Sequence, residues 1–212
     1  SYLSQADFKW MNFNVARQWS VPTRWYRSMV AIAGGQQQFN YDGLRTDQQA
    51  QAYYSIEFPN YWRIRSFTIL HPSTYDDRLT RGGPVVVRDG YRYGQVEVST
   101  DARRRAVFDV SVIGSMGVGG PAKAFQLSPG LALKPAANVF IQVSPTAAYD
   151  EGTAQYVTAV SDPTATAFGG KRYVFSYIRT RILSIDTRIN WTFSPALTLQ
   201  VFAQPFFASG DY

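Results

Sequence analysis

The sequence predicts an all-β fold, an antiparallel up-and-down transmembrane β-barrel of about twelve strands, and three observations carry that expectation. Apolar and polar residues alternate with period two over runs of roughly ten residues, longer than the usual globular strand and about what a tilted strand needs to cross a bilayer. Aromatic residues gather beside short turns. Those turns alternate with longer connections, and no helical periodicity interrupts the strands.

The alternation is clearest from Ile182 to Phe207. Leu183, Ile185, Thr187, Ile189, Trp191 and Phe193 share one parity, and Ser184, Asp186, Arg188, Asn190 and Thr192 the other. After a turn at Ser194-Pro195-Ala196 it resumes, with Leu197, Leu199, Val201 and Ala203 opposed to Thr198, Gln200 and Gln204. Successive strand side chains point to opposite faces, so this is a hairpin with one apolar and one wet face.

Taken in order, Asp7 to Trp19 is the first strand, with a parity switch that predicts a bulge near Met11. Pro22 marks a tight turn into a second strand from Arg24 to about Ala33, and Gly34 to Asp42 is expected to be a connection. In the third strand Leu44, Thr46, Ala50, Ala52, Tyr54, Ile56 and Phe58 oppose Arg45, Asp47, Gln49, Gln51, Ser55 and Glu57. Pro59-Asn60 turns into a fourth strand, Tyr61 to His71. Pro72 to Gly90 is too rich in Gly, Pro and Asp for regular structure and is expected to be a long loop. Tyr91 to Ser99 and Val107 to Ile113 are the fifth and sixth strands, and Gly114 to Ala122 is loop-like. A seventh strand carries Phe125, Leu127, Leu131 and Leu133, and an eighth Val139, Ile141 and Val143. Thr153 to Val160 and Arg172 to Ile178 complete the count before the hairpin. Ser161 to Lys171 between them breaks the alternation, being long where a short turn is due.

Composition bounds the function. With 45% hydrophobic and 16% aromatic residues the chain is too apolar for disorder, and it holds no 18-residue apolar run for a membrane helix. A transmembrane barrel stays compatible, because its alternation leaves little hydropathy signal. The formal charge is +6, yet the only basic triplet, Arg103 to Arg105, sits at a turn without an aromatic platform, so nucleic acid is not an expected partner. Zero Cys excludes disulfides and thiolate metal sites. Ser1-Tyr2-Leu3 opens directly into patterned sequence, so a signal peptide is expected either to have been removed or to lie in a longer chain of which this is a piece.

The aromatics choose between the faces. Trp19 and Trp25 with Tyr26, Phe58 with Tyr61 and Trp62, and Trp191 with Phe193 flank short turns, as one rim of an interfacial girdle would. Trp19, Trp25, Tyr54, Phe58, Trp62, Leu183, Ile185, Ile189, Trp191, Phe193, Leu199 and Val201 are therefore expected to face lipid or the girdle. Arg45, Asp47, Gln49, Gln51, Glu57, Arg63, Arg65, Asp109, Gln126, Gln142, Asp186, Arg188, Asn190 and Gln200 are expected to line the lumen, as a water channel or a static polar network. Charge at Ile189 should block assembly and charge at Asn190 should not. A soluble β-sandwich binding module is the alternative fold.

Catalytic signals are weak. Gly114, Gly117, Gly119 and Gly120 lack phosphate-loop spacing and precede Pro121. His71 is the only histidine, with no partner motif for a metal site or triad. Asp76-Asp77 and Asp150-Glu151 are adjacent pairs without the separation of glycosidase carboxylates, although Asp-rich loops could hold cations that bridge lipopolysaccharide. Asn190-Trp191-Thr192 fits a glycosylation sequon without consequence in a barrel strand. No catalytic residue, cofactor or metal is expected.

Several segments resemble a known family. Arg81-Gly82-Gly83-Pro84, Ser99-Thr100-Asp101-Ala102-Arg103, Gln155-Tyr156-Val157-Thr158 and the stretch from Tyr173-Val174-Phe175 through Arg188-Ile189-Asn190, Ser194-Pro195, Leu199-Gln200 and Gln204-Pro205-Phe206 to Ser209-Gly210-Asp211-Tyr212 are similar to an uncharacterised bacterial family. It comprises outer-membrane β-barrel regions of proteins with an N-terminal carbohydrate-binding family 9-like domain. The resemblance implies that residues 1–212 form an interior part of a larger barrel, cut at both ends, with Gly210-Asp211-Tyr212 in a loop. It carries over no catalytic residue. The expected function is a pore, membrane anchor or scaffold in the bacterial outer membrane, linked to glycan binding or uptake. Expected partners are outer-membrane lipid, lipopolysaccharide and other subunits of a membrane assembly. The alternatives are a glycan-processing enzyme using Asp76 and Asp77, or a soluble carbohydrate-binding β-sandwich.

Overall fold

The alternating segments form strands in the computed structural model, which describes residues 7–152 and 155–211. In chain order these are β1 (Lys9–Trp19), β2 (Ser28–Phe39), β3 (Arg45–Glu57), β4 (Arg63–His71), β5 (Thr74–Asp76), β6 (Val86–Arg88), β7 (Gly90–Ser99) and β8 (Ala106–Val118). They continue as β9 (Lys123–Ala136), β10 (Val139–Glu151), β11 (Gln155–Ser161), β12 (Lys171–Ser176), β13 (Arg179–Ser194), β14 (Leu197–Ala203) and β15 (Phe206–Asp211). The only helical element among the described residues is a 3-10 turn, Thr166–Phe168.

One antiparallel sheet runs β1-β2-β3-β4-β7-β8-β9-β10-β13-β14, with β15 also on β13. β14 and β15 are one crossing broken at Gln204-Pro205: Thr187 pairs with Ala203, Ser184 with Phe206, and the Ile185 amide donates to the Pro205 carbonyl between them at 3.1 Å. Among the described residues ten long crossings therefore form a meander, not twelve, and the sheet they make does not close on itself into a barrel. β11 and β12 pair only with each other. This corrects the expected ninth and tenth crossings and explains the broken alternation, since the whole stretch between β10 and β13 is one long connection. Thr153 lies outside the described residues, as does Tyr212.

Other boundaries shift for steric reasons. β2 runs on through Gly34-Gly35 to Phe39, because glycine lets β1 approach: a Cβ at Gly34 would meet the Phe13 carbonyl oxygen at 2.2 Å. β1 pairs with β2 in unbroken register, so the bulge expected near Met11 is absent; one falls instead between Gln38 and Phe39. β8 extends through Gly114 and Gly117, where cross-strand pairing to β7 and β9 continues. β5 and β6 form a small hairpin inside the expected Pro72–Gly90 loop. Gly210 and Asp211 pair with Thr180 and Arg179 and so belong to a strand and not a loop.

Directly opposed residues share a face, so the register sorts the side chains. One face carries rows such as Tyr54, Ser66, Val96, Val112, Leu127, Ala147, Leu183 and Phe207; the other carries Ser55, Arg65, Glu97, Ser111, Ser128 and Thr146. Exposure is inverted relative to a water-soluble sheet. Phe108 (56%), Met116 (67%), Phe125 (50%) and Leu127 (38%) are exposed, while Gln126 and Ser128 between them are half-buried. Among the described residues no apolar side chain is buried. The ten crossings are hydrogen-bonded in a single row, whereas a sandwich would stack two sheets face to face.

Candidate functional site

The polar face is the first part of the site. Glu57 sits between two arginines, with its carboxylate 3.0 Å from Arg27 Nε and 2.7 Å from Arg63 Nη2. One row on, Arg65 meets Glu97 at 2.9 Å. Farther round, hydroxyls and amides replace charges: Gln126 donates to Ser128 at 3.1 Å, Ser128 bonds Thr146 at 3.0 Å, and Gln142 donates to Ser144 at 3.4 Å. Gln51 donates to Asn14 at 3.2 Å and Gln49 to Gln51 at 3.5 Å. Gly130 makes room for a charge, since a Cβ there would lie 2.5 Å from the Asp109 carboxylate oxygens.

Of the fourteen residues expected on this face, thirteen stand on one parity of the sheet. Asp186 and Arg188 oppose Ser144 and Gln142, and Asn190 opposes Gln200. Arg45 is the exception. The bulge at Thr46 puts it opposite Phe39 while Asp47 opposes Gln38, so Arg45 falls in the row of Lys9 and Phe39 on the other parity. Residues 45–49 are all polar, so this bulge makes no apolar parity switch, which is why the sequence alone grouped them. On the apolar parity, Trp19, Tyr54, Leu183, Ile185, Ile189, Trp191, Leu199 and Val201 share a face; Phe193 is half-exposed and stacks on Trp191 at 4.5 Å. Trp25, Phe58 and Trp62 lie in turns, with Trp25 and Trp62 exposed.

The turns at the β1–β2, β3–β4, β7–β8, β9–β10 and β13–β14 ends are short and locally tied. Thr23 Oγ1 accepts from the Trp25 and Tyr26 amides, both at 3.2 Å, and Asn60 Oδ1 from the Trp62 amide at 3.1 Å. Tyr61, at φ 66°, is clamped by guanidinium groups whose carbons lie 3.1 Å (Arg103) and 3.9 Å (Arg27) from its ring centre. Arg103 in turn holds the buried Asp101 at 2.7 Å, with Arg104 at 3.5 Å. The hydrogen bonds from Arg103 keep the Asp101 carboxyl well below the usual carboxylate range and push the Arg103 guanidinium up. Two members of the basic triplet are thus engaged in fixing a turn.

The opposite end carries the long connections, and there two insertions lean over the polar face. The β5–β6 insertion is tied down by Asn40, which is buried, donates to Asp77 at 2.8 Å and accepts from the Leu44 amide at 2.8 Å. Asp76 accepts from the Arg78 and Leu79 amides at 2.9 and 2.8 Å and faces Arg88 at 3.6 Å. Arg78 reaches Asp7 at 2.7 Å. The β11–β12 hairpin meets this insertion from the other side. Arg81 lies over Tyr156, and Gly83 is so close to the Tyr173 ring that a Cβ would meet it at 2.3 Å. Tyr156, Tyr173, Phe175 and Phe168 pack as an aromatic cluster.

Between the insertions and the polar face lies a cavity of about 880 Å³. Its floor is His71, stacked on Tyr91 at 4.7 Å with Nε2 2.8 Å from Asp47, whose other oxygen accepts from Gln36 at 2.8 Å. His71 Nδ1 is buried without a partner among the described residues, and no hydroxyl or thiol nucleophile bonds to the ring. Asp76 and Asp77, the carboxylates expected of a glycan-processing enzyme, are both engaged in holding the insertion. Asp150 and Glu151 point to opposite faces of β10; Glu151 is bound by Lys123 at 3.3 Å and Arg179 at 3.2 Å. Among the described residues no three His, Cys, Asp or Glu side chains converge on a metal-sized site. The cavity escaped sequence reasoning because its walls come from strands and connections far apart in the chain; only the Gly/Asp-rich punctuation of 72–90 hinted at it.

Comparison of the chain with protein-family models, curated proteins and solved structures gives no match.

Proposed function

We propose that this chain is part of the wall of a bacterial outer-membrane β-barrel, with its apolar face in lipid and its polar face lining an aqueous lumen narrowed at one mouth by the β5–β6 and β11–β12 insertions. The inverted exposure is the observation that carries it. Ten outward Leu, Ile, Phe, Met or Trp side chains left in water would forgo on the order of 15–30 kcal/mol, more than the roughly 5–15 kcal/mol that holds a domain folded. Lipid on that face removes the deficit. The short turns with their aromatics then lie at the periplasmic rim and the long connections outside. The segments similar to outer-membrane barrel regions support the same reading. The lumen serves as a pore, with the cavity at its mouth as the first contact for a solute.

The test is insertion and conductance. Full-length protein in liposomes should resist alkaline carbonate, migrate differently on gels before and after heating, and conduct ions in planar bilayers. Replacing the β11–β12 hairpin by a short loop should raise the single-channel conductance. Purification as a soluble monomer without detergent would sink the proposal, and insertion without any conductance would leave an anchor in place of a pore.

A further inference from the structure

We propose that the outward face at the long-connection end is a binding site for the phosphate groups and acyl chains of a phosphorylated glycolipid in the adjoining leaflet, a proposal that rests on the membrane reading above. The register places Arg92, Met116, Lys123, Glu151 and Arg179 in one row across β7, β8, β9, β10 and β13. The next row carries Phe125, Tyr149 and Arg181. Both belong to the apolar parity, so these charges stand on the face given to lipid.

The depth is that of a headgroup. From the row of Trp191 and Val139 to the row of Tyr149 there are ten residues of β10. That is about 34 Å along a strand at 3.4 Å per residue, and about 26 Å once tilted by about 40°. An outer-membrane apolar band is about 25 Å tall between its aromatic girdles. Trp191 and Tyr149 then mark the two girdles, with Arg181 in the second and Arg92, Lys123 and Arg179 one row beyond it.

The charge is unbalanced. Lys123 and Arg179 share the single carboxylate of Glu151, itself fixed by the Tyr149 hydroxyl at 2.9 Å. Arg92 and Arg181 form no ion pair among the described residues. Asp211, opposite Arg179 at the sheet margin, is the other acid in the row. Four cations thus face two carboxylates, and the cations of neighbouring alternate strands stand about 10 Å apart. Two phosphates on one headgroup suit that spacing.

Below the cations the surface is grooved. Gly94 and Gly114 oppose each other, and a Cβ on either would meet nothing within 4 Å. Neither has positive φ, so backbone conformation does not call for glycine there. What their lack of side chains leaves is a channel of about 520 Å³ walled by Met116 and Phe125 and headed by Arg92 and Lys123. A second groove of about 550 Å³, on the other side of Phe125, is headed by Arg181 and lined by Leu127, Leu183 and Phe207. Each has the composition of an acyl-chain slot below a cation.

Native mass spectrometry of the full-length protein in detergent tests this, with a bisphosphorylated, multiply acylated diglucosamine lipid as probe and its dephosphorylated form and inorganic phosphate as controls. Arg92→Gln with Arg181→Gln should weaken lipid retention at least tenfold, and dephosphorylation should do the same on the unaltered protein. Gly94→Leu, whose Cβ would meet nothing within 4 Å, should weaken the acylated lipid but not its deacylated headgroup, with heat-modifiable migration unchanged. Equal retention by the arginine variant, equal retention of the dephosphorylated lipid, or full displacement by inorganic phosphate overturns the proposal. Carbonate extraction is a separate readout: a chain that never enters vesicles fails the membrane reading, whereas one that inserts with unchanged lipid retention fails only this site.

Discussion

The two faces of this sheet treat charge in opposite ways. On the polar face, charges are spread along the strands and several are matched across them, as in Arg27–Glu57–Arg63 and Arg65–Glu97. On the apolar face the stretch of β7 to β14 between the Trp191 and Tyr149 rows contains none, and charge returns in the Tyr149 row and beyond it, while in β1 and β3 the same parity carries Arg17, Lys9 and Arg45. The same backbone, with the same hydrogen bonds, supports both. On the proposed membrane reading what differs is the solvent of each face, and that difference assigns a side chain's cost by its parity and its depth and not by its partners.

The sharpest attempt to break this comparison places one lysine at successive positions of β13. Ile185→Lys, near the middle of the apolar band, should cost about 2–4 kcal/mol of stability in the bilayer, and Ile189→Lys less, because it is one row from the Trp191 girdle. Asn190→Lys should fold. Equal tolerance at the three positions, scored by heat-modifiable migration after refolding into vesicles, would erase the distinction between the faces.

Glycine substitution gives a second contrast. Gly130→Val drives a side chain into the Asp109 carboxylate on the polar face and should cost about 1–3 kcal/mol, whereas Gly94→Ala on the outward face should be near neutral. Urea midpoints in detergent measure both. Removing Glu57 comes next in size. Glu57→Ala leaves Arg27 and Arg63 facing each other, and with both arginines partly exposed the loss should be about 1 kcal/mol, with Arg63→Ala alone costing less. A double-mutant cycle isolates the coupling.

The smallest effect is a pH response at the short-turn end. Because the Asp101 carboxyl is held below its ordinary range, its contribution is fully present above about pH 4 and is lost as the pH falls through its depressed value. Protection of the 100–105 turn from proteolysis by an acid protease should fall over that acidic window, and Asp101→Asn should remove the dependence.

Much of this was legible because alternation reports parity directly. The third strand and the final hairpin were placed to within a few residues, and with them the facing of Asp47, Glu57, Ile185 and Asn190. Parity says nothing of pairing partners, however. Tyr156, Val160 and Val174 sit in strands as convincing as any other, and only hydrogen bonding sets β11 and β12 apart from the sheet. Gly34-Gly35 signalled a break by composition but serves close strand approach, and Thr46 displaced Arg45 by a single extra residue. The cavity needed contacts between connections that no local pattern encodes.

The fit of the Tyr173 ring against Gly83 has a kinetic consequence. Those residues belong to insertions separated in the chain by four long crossings, β7 to β10, so the contact cannot form until that part of the meander is in register. Contacts between distant segments form late, after the loop-closure entropy of everything between them has been met. A fluorophore attached near Tyr173 should therefore report the last step of assembly, arriving after the strands have paired, and Gly83→Leu should slow or abolish that phase while leaving the earlier ones unchanged.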